Sequence, residues 1–117
     1  MTQSKRSFET KSLVATDTTE AIDLKGKVLV GIDVPELTST DFTLLNALSK
    51  GGTYKTVKDP LGFAGGTAGA EINFILEAAA SGYYAIPPYI TAGLEWIKIA
   101  FGSAETAEIN LITREIE

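Results

Sequence analysis

The chain has 117 residues, 44% hydrophobic and 21% charged, the make-up of one globular domain able to bury a core without cross-links. It contains no cysteine and no histidine, which excludes disulfides, thiolate metal sites, cysteine nucleophiles and the commonest general base. A formal charge of −5 argues against nucleic-acid binding, which depends on Lys and Arg neutralising phosphates.

Residues 1–11 are polar and mixed in charge, with Phe8 as their one large apolar group. Such a segment buries too little surface to order by itself, so it is expected to be a mobile N-terminal arm, with Phe8 as a possible anchor on a partner. Residues 12–117 are expected to form a single domain. No apolar run approaches the roughly 18 residues of a membrane-spanning helix. The opening "MTQSKRSFETKS" also lacks the apolar middle of a signal peptide. The expectation is a protein made in a reducing cytosol, or assembled from there into something larger.

From Ser12 onward the pattern is that of strands. Short ones are expected in "SLVATD" and "EAIDL". "KVLVGIDV" alternates, with Val28, Val30, Ile32 and Val34 on one face, and Pro35 ends it because it offers no N–H to a ladder. "DFTLLNALS" sets Phe42, Leu44, Asn46 and Leu48 against Thr43, Leu45, Ala47 and Ser49. A short "KTVK" strand leads into the turn "DPLG". "AEINFILEA" alternates Ala70, Ile72, Phe74 and Leu76 with Glu71, Asn73, Ile75 and Glu77; helix competes here, but alternation and β-branched content favour strand. "YYAI" stops at Pro87-Pro88, and "PPYITAG" fits one short helical turn with proline at its start. "LEWIKIAFG" carries Ile97, Ile99 and Phe101 on one face, and "AEINLITREI" closes the chain. Seven to nine short strands separated by Gly, Pro, Asp and Ser predict an all-β fold, an antiparallel β-sandwich or jelly roll. No helix is long enough for a βαβ crossover.

Several stretches invite a chemical reading. "LSKGGTYKTVKDPLG" has glycines beside lysine and threonine, yet a phosphate loop needs GxxxxGK[ST] between a strand and a helix. Here lysine precedes the glycines and no helix follows, so a hairpin whose glycines supply positive φ is expected. "GFAGGTAGA" lacks GxGxxG spacing and any βα unit. It reads as a flexible loop whose Gly65 and Gly66 would let another chain approach closely. The carboxylates are scattered, and strand faces that resist edge pairing explain Glu71, Glu77, Glu105, Glu108, Glu115 and Glu117 better than a glycosidase pair. No calcium-loop spacing occurs; "DTTEAID" is at most a weak cation site. Tyr83, Tyr84, Tyr89 and Trp96 fit a core or subunit contact better than a sugar platform. "PPYI" presents a stiff apolar loop suited to an interface. The candidate interface residues are Phe8, Gly65, Gly66, Pro87, Pro88 and Tyr89. No catalytic set, cofactor or metal site is expected.

The order of "VLVGIDVP", "LTSTDFTLLNALSKGGTYKTVKDPLG" and "YYAIPPYITAGLEWIKIAFGSAETAEINLITREI" resembles small β-sandwich virion proteins of tailed bacteriophages, over about residues 27–116. Lys50-Gly51 stands where that pattern usually carries Asp-Gly. The resemblance implies a non-enzymatic capsid decoration or cement protein that clamps the major capsid protein lattice. It also implies a homo-oligomer, with a trimer favoured, at the capsid surface after assembly in the host cytoplasm. Neither nucleic acid nor membrane is an expected partner. "GGTYKTVKD" followed by "LEWIKIAFG" also resembles discoidin-like jelly rolls, which makes a carbohydrate-binding module the alternative. A tail or baseplate accessory domain is a third.

Overall fold

A computed structural model describes residues 6–62 and 68–115. Backbone pairing organises them into β1 (Arg6–Ser12), β2 (Thr16–Thr18), β3 (Ile22–Asp23), β4 (Val28–Val34), β5 (Asp41–Ala47), β6 (Lys55–Thr56), β7 (Lys58–Asp59), β8 (Ala70–Glu71), β9 (Phe74–Ile75), β10 (Gly82–Ala85), α1 (Pro88–Thr91), β11 (Trp96–Glu105) and β12 (Glu108–Arg114). The first sheet runs β1-β12-β4-β10 and the second β2-β11-β5-β6, with β3 on β11 and β9 on β5. All pairings are antiparallel. The two sheets pack together as an all-β sandwich.

The expected alternation supplies most of the core. Ile97, Ile99 and Phe101 of β11, Phe42 and Leu44 of β5, and Ile72 and Leu76 are all buried. Phe42 lies at the centre of an aromatic set, stacked on Phe74 at 4.8 Å and tilted against Phe101 at 5.9 Å. Periodicity nevertheless merges strands that the backbone divides. Val57 separates β6 from β7: its N–H goes to Leu44 and its carbonyl accepts from Ile72. "AEINFILEA" likewise divides into β8, paired with β7, and β9, paired with β5. The described residues therefore hold twelve strands, several of two residues, rather than seven to nine.

Residues 6–12 differ from the expected arm. They form β1 and pair with β12 in unbroken register from Arg6↔Arg114 to Ser12↔Glu108. The physical reason is that a ladder is built by backbone groups, so a polar edge strand can order without burying its side chains. Residues 1–5 lie outside the described residues.

The alternation in β4 is also shifted. Ile32 and Val34 face the core as expected, but the core residue before them is Leu29, not Val30. The β4–β12 register slips between Ile112↔Gly31 and Thr113↔Leu29, leaving Val30 as an extra residue. A single inserted residue reverses facing beyond it. The bulge also positions the 86–91 segment. Ile86 donates to the Val30 carbonyl at 2.9 Å, and the buried Thr91 hydroxyl donates to the Leu29 carbonyl at 2.7 Å. Pro87 is extended and Pro88 opens α1, the helical turn expected of "PPYITAG". Thr91→Val keeps the shape and orphans that carbonyl, so denaturant unfolding should show a loss of about 1–3 kcal/mol. An unchanged midpoint would show that the hydroxyl does not anchor the segment.

The turns carry further detail. Lys25 and Gly26 both have positive φ, 55° and 75°, and Lys27 N–H bonds the Leu24 carbonyl at 2.9 Å, the geometry of a type I′ turn, which here carries the chain from β3 in the second sheet to β4 in the first. The "KGG" loop does join β5 to β6 as a hairpin. Its glycines are not the positive-φ ones, however; among the described residues those are Gly26, Gly62 and Gly69. Gly52 sits in a crowded turn instead: a Cβ there would stand 2.9 Å from the rotatable Ser49 Oγ and 3.2 Å from the Ser49 carbonyl. In "DPLG", the Asp59 carboxylate accepts from the N–H groups of Leu61 and Gly62 at 3.1 and 3.0 Å, an Asx turn.

Candidate functional site

Residues paired directly across antiparallel strands share a face. On the first sheet one such row runs Phe8–Ile112–Gly31–Ala85 across all four strands. The neighbouring row is Thr10–Asn110–Asp33–Tyr83. Both lie on the outer face, since Leu111, Ile32 and Tyr84 of the alternate row belong to the core or pack against it.

Gly31 makes the outer face continuous. A Cβ there would meet Tyr83 Cζ at 2.7 Å, so the bare glycine lets the tyrosine ring lie across the sheet from the adjacent strand, as aromatic residues do over sheet glycines. Phe8 remains 69% exposed and Tyr83 57%, so a row of apolar groups spans the face with large aromatics at both sides. Beside it runs a polar chain. Thr10 Oγ1 donates to Asn110 Oδ1 at 2.7 Å, and Asn110 Nδ2 donates to Asp33 Oδ2 at 3.4 Å. An apolar strip with a hydrogen-bonded polar flank is the composition of a protein contact surface.

The candidate residues named from the sequence are only partly brought together. Phe8 is in this row. Pro87, Pro88 and Tyr89 are exposed on the segment entering and forming α1, which packs on β4, and do not belong to the row. Gly65 and Gly66 lie outside the described residues. Tyr83, grouped in the sequence with Tyr84, Tyr89 and Trp96, lies on the same outer face as Phe8, at the opposite edge of the sheet. The other members scatter: Tyr84 packs against the core, and Trp96 is on the second sheet, paired with Asp23 and Ala47. No single stacking platform results from the four. Tyr54, a possible fifth, has its ring covered by Lys98 Nζ at 4.5 Å.

Several clefts mark the described surface of the sandwich, two of them near the ends of its strands. One, of about 240 Å³, opens between β1 and the 22–27 turn; in it Lys27 Nζ donates to Ser7 Oγ at 3.1 Å, and Ser7 Oγ in turn meets Thr113 Oγ1 at 2.8 Å. The other, of about 510 Å³, lies between the β5–β6 hairpin and Leu94. Among the described residues no three His, Cys, Asp or Glu side chains gather as a metal ligand set. No helix among them is long and apolar enough to cross a membrane.

A strongly organised carboxylate that ties the two sheets was hidden in the sequence among solvated charges. Glu105 is buried at the end of β11 and faces the 35–40 connection between the sheets. It accepts from the N–H groups of Ser39 at 2.7 Å and Thr38 at 3.2 Å, from Thr38 Oγ1 at 3.1 Å, and from the Ser39 hydroxyl. Burial pushes its carboxyl up, but these hydrogen bonds, led by the Ser39 hydroxyl, outweigh burial and hold it below the usual 4.5. Ser39 Oγ also accepts from Ser103 N at 3.1 Å and reaches the Ser103 carbonyl at 3.2 Å. With its acceptors filled by backbone and hydroxyl donors, Glu105 fastens a crossover rather than meeting a substrate. No protein-family model, no curated protein and no solved structure matches this chain.

Proposed function

We propose that this chain is a virion structural protein of the capsid decoration or cement type, a non-enzymatic sandwich that binds the major capsid protein lattice and stabilises it at the capsid surface. The observation that carries the reading is the outer face of the first sheet. There the exposed Phe8 and Tyr83 rings stand at opposite edges of the face, with Gly31 and half-buried Ile112 between them and a polar row alongside, fit to lie on another folded surface. The resemblance over residues 27–116 supplies the class of partner. The Glu105 latch and the continuous β1–β12 ladder give the rigidity that a clamp requires, because a pre-ordered surface loses little entropy on docking.

The test uses capsid shells from which the protein has been stripped. Wild-type protein should rebind and restore resistance to heat. The double variant Phe8→Ala, Tyr83→Ala should keep its fold, because exposed positions shift stability by only about 0.5 kcal/mol. It should bind roughly 30-fold or more weakly, the loss typical of aromatic hot spots. Wild-type protein that neither rebinds nor changes shell stability would remove the virion reading. Equal binding by the double variant would move the contact elsewhere on the molecule.

A further inference from the structure

The strand directions sort charge to opposite ends of the sandwich. One end is made by the β1–β2, β4–β5, β9–β10 and β11–β12 connections. Hydrogen bonds tie these into one surface: Leu13 N–H to the Ala107 carbonyl at 2.7 Å, Ala79 N–H to Leu37 at 2.8 Å and Leu76 N–H to Thr40 at 2.8 Å. Exposed there are Asp17, Glu36, Glu77 and Glu108, with Asp33 just below on β4. Among the described residues the lysine nearest this end by strand position is Lys11, and it already pairs with Glu9 at 3.1 Å. Val14, 77% exposed, is a large aliphatic group of this end, as is Ile75, 70% exposed, where β9 meets the start of β5.

The opposite end is made by the 24–27 turn, the 48–54 hairpin loop and the 92–95 turn. These too are joined, by Leu24 N–H to the Glu95 carbonyl at 3.1 Å and Glu95 N–H to Asn46 Oδ1 at 2.9 Å. Lys25, Lys50 and Lys55 are exposed there, with Lys27 half-buried beside them. Asp23, Glu95 and Glu115 share this end by strand position, outnumbered by these lysines together with the exposed Arg114; Asp23 accepts from the Lys25 N–H at 2.9 Å. Leu48, 86% exposed, stands among the lysines.

We propose that copies of this chain associate head to tail, the lysine end around Leu48 docking on the carboxylate end around Val14 of the next copy. The occupant is argued from charge complementarity: each molecule carries both members of an attracting pair at opposite ends. A two-fold dimer through either end would set like charges against each other. A heterologous contact of this kind closes into a ring or continues as a stack. The inference rests on the preceding section only in treating the chain as an assembly protein, and self-association is measured on the isolated chain.

Light scattering on the full chain should show mass above the 12.4 kDa monomer at about 10 mM salt, where charges act over about 30 Å. It should fall to the monomer near 1 M salt, where they act over about 3 Å. Lys50→Glu with Lys55→Glu, and separately Glu36→Lys with Glu77→Lys, should each weaken self-association at least tenfold. Mixing the two variants should restore it between unlike molecules, which also shows that both remain folded. A fixed mass indicates a ring and a mass rising with concentration a stack; either supports the proposal. A monomer at low salt overturns it, as does association that survives both sets of reversals. Loss of capsid-shell binding by the Lys50→Glu, Lys55→Glu variant while the wild type stays monomeric would assign the lysine end to an acidic partner instead. That result would also overturn self-association while leaving the virion reading standing.

Discussion

Glu105→Ala is expected to destabilise the protein at neutral pH by about 3–5 kcal/mol, because two backbone N–H groups and two hydroxyls lose their acceptor together and each orphaned buried donor costs about 1–3 kcal/mol. Glu105→Gln keeps the shape and one acceptor oxygen, so a loss of about 2 kcal/mol is expected from the missing charge-assisted bonds. The pH dependence follows from the direction of the carboxyl shift. In the fold the group titrates below 4.5; unfolded, it returns to the ordinary value. Its contribution is therefore complete above about pH 4.5 and drains away as the pH falls through the lower folded value. Denaturant midpoints of wild type and Glu105→Gln should converge as solutions are acidified below about pH 4.5. A gap that holds constant through that range would show that the latch does not depend on ionised Glu105.

The second large effect belongs to the aromatic centre of the core. Phe42 is 1% exposed and touches both Phe74 and Phe101, so Phe42→Ala both removes transfer energy and leaves a cavity. The expected cost is about 3–5 kcal/mol. Phe8, the other phenylalanine of comparable size singled out above, sits on the surface, so truncating it should be nearly neutral. Thermal or denaturant unfolding of the two variants side by side decides the matter. A Phe42→Ala variant as stable as Phe8→Ala would mean that the Phe74 and Phe101 rings collapse into the space at no cost.

The all-β class was legible because Phe42 and Leu44 of β5, Ile97, Ile99 and Phe101 of β11, and residues 70–77 put apolar groups at alternate positions, and such a pattern commits a strand to one buried face. Its limits have physical causes. In "VLV" three consecutive apolar residues satisfy either parity, so nothing in the letters marks Val30 as the extra one. Alternation in "AEINFILEA" persists through a change of pairing partner, because facing depends on pleat and not on which strand lies alongside. The order of β1 was invisible because its ladder is made of groups every residue shares. Half of the candidate surface was legible, as Phe8; Tyr83 was noticed but grouped with its sequence neighbours. The way its ring lies over the outer face depends on Gly31, a residue whose contribution is the side chain it lacks. Glu105 resembled the surface carboxylates near it, and the one available signal was the "TST" segment at 38–40, rich in hydroxyl donors that a buried carboxylate needs.

The place of β12 between β1 and β4 has a consequence for how the molecule is made. The first and last strands pair across 106 positions, as at Ser7 and Thr113, and β4 reaches β1 only through β12. During synthesis the first sheet therefore cannot close until residues 108–114 have left the ribosome. Until then β1 and one side of β4 wait without the strand that joins them. Closure so late and between such distant segments places folding toward the slow, roughly millisecond-to-second end of the range for single domains. The unclosed nascent chain, with the hydrogen-bonding edge of β4 left open, is the species most prone to mispairing with its neighbours on a polysome.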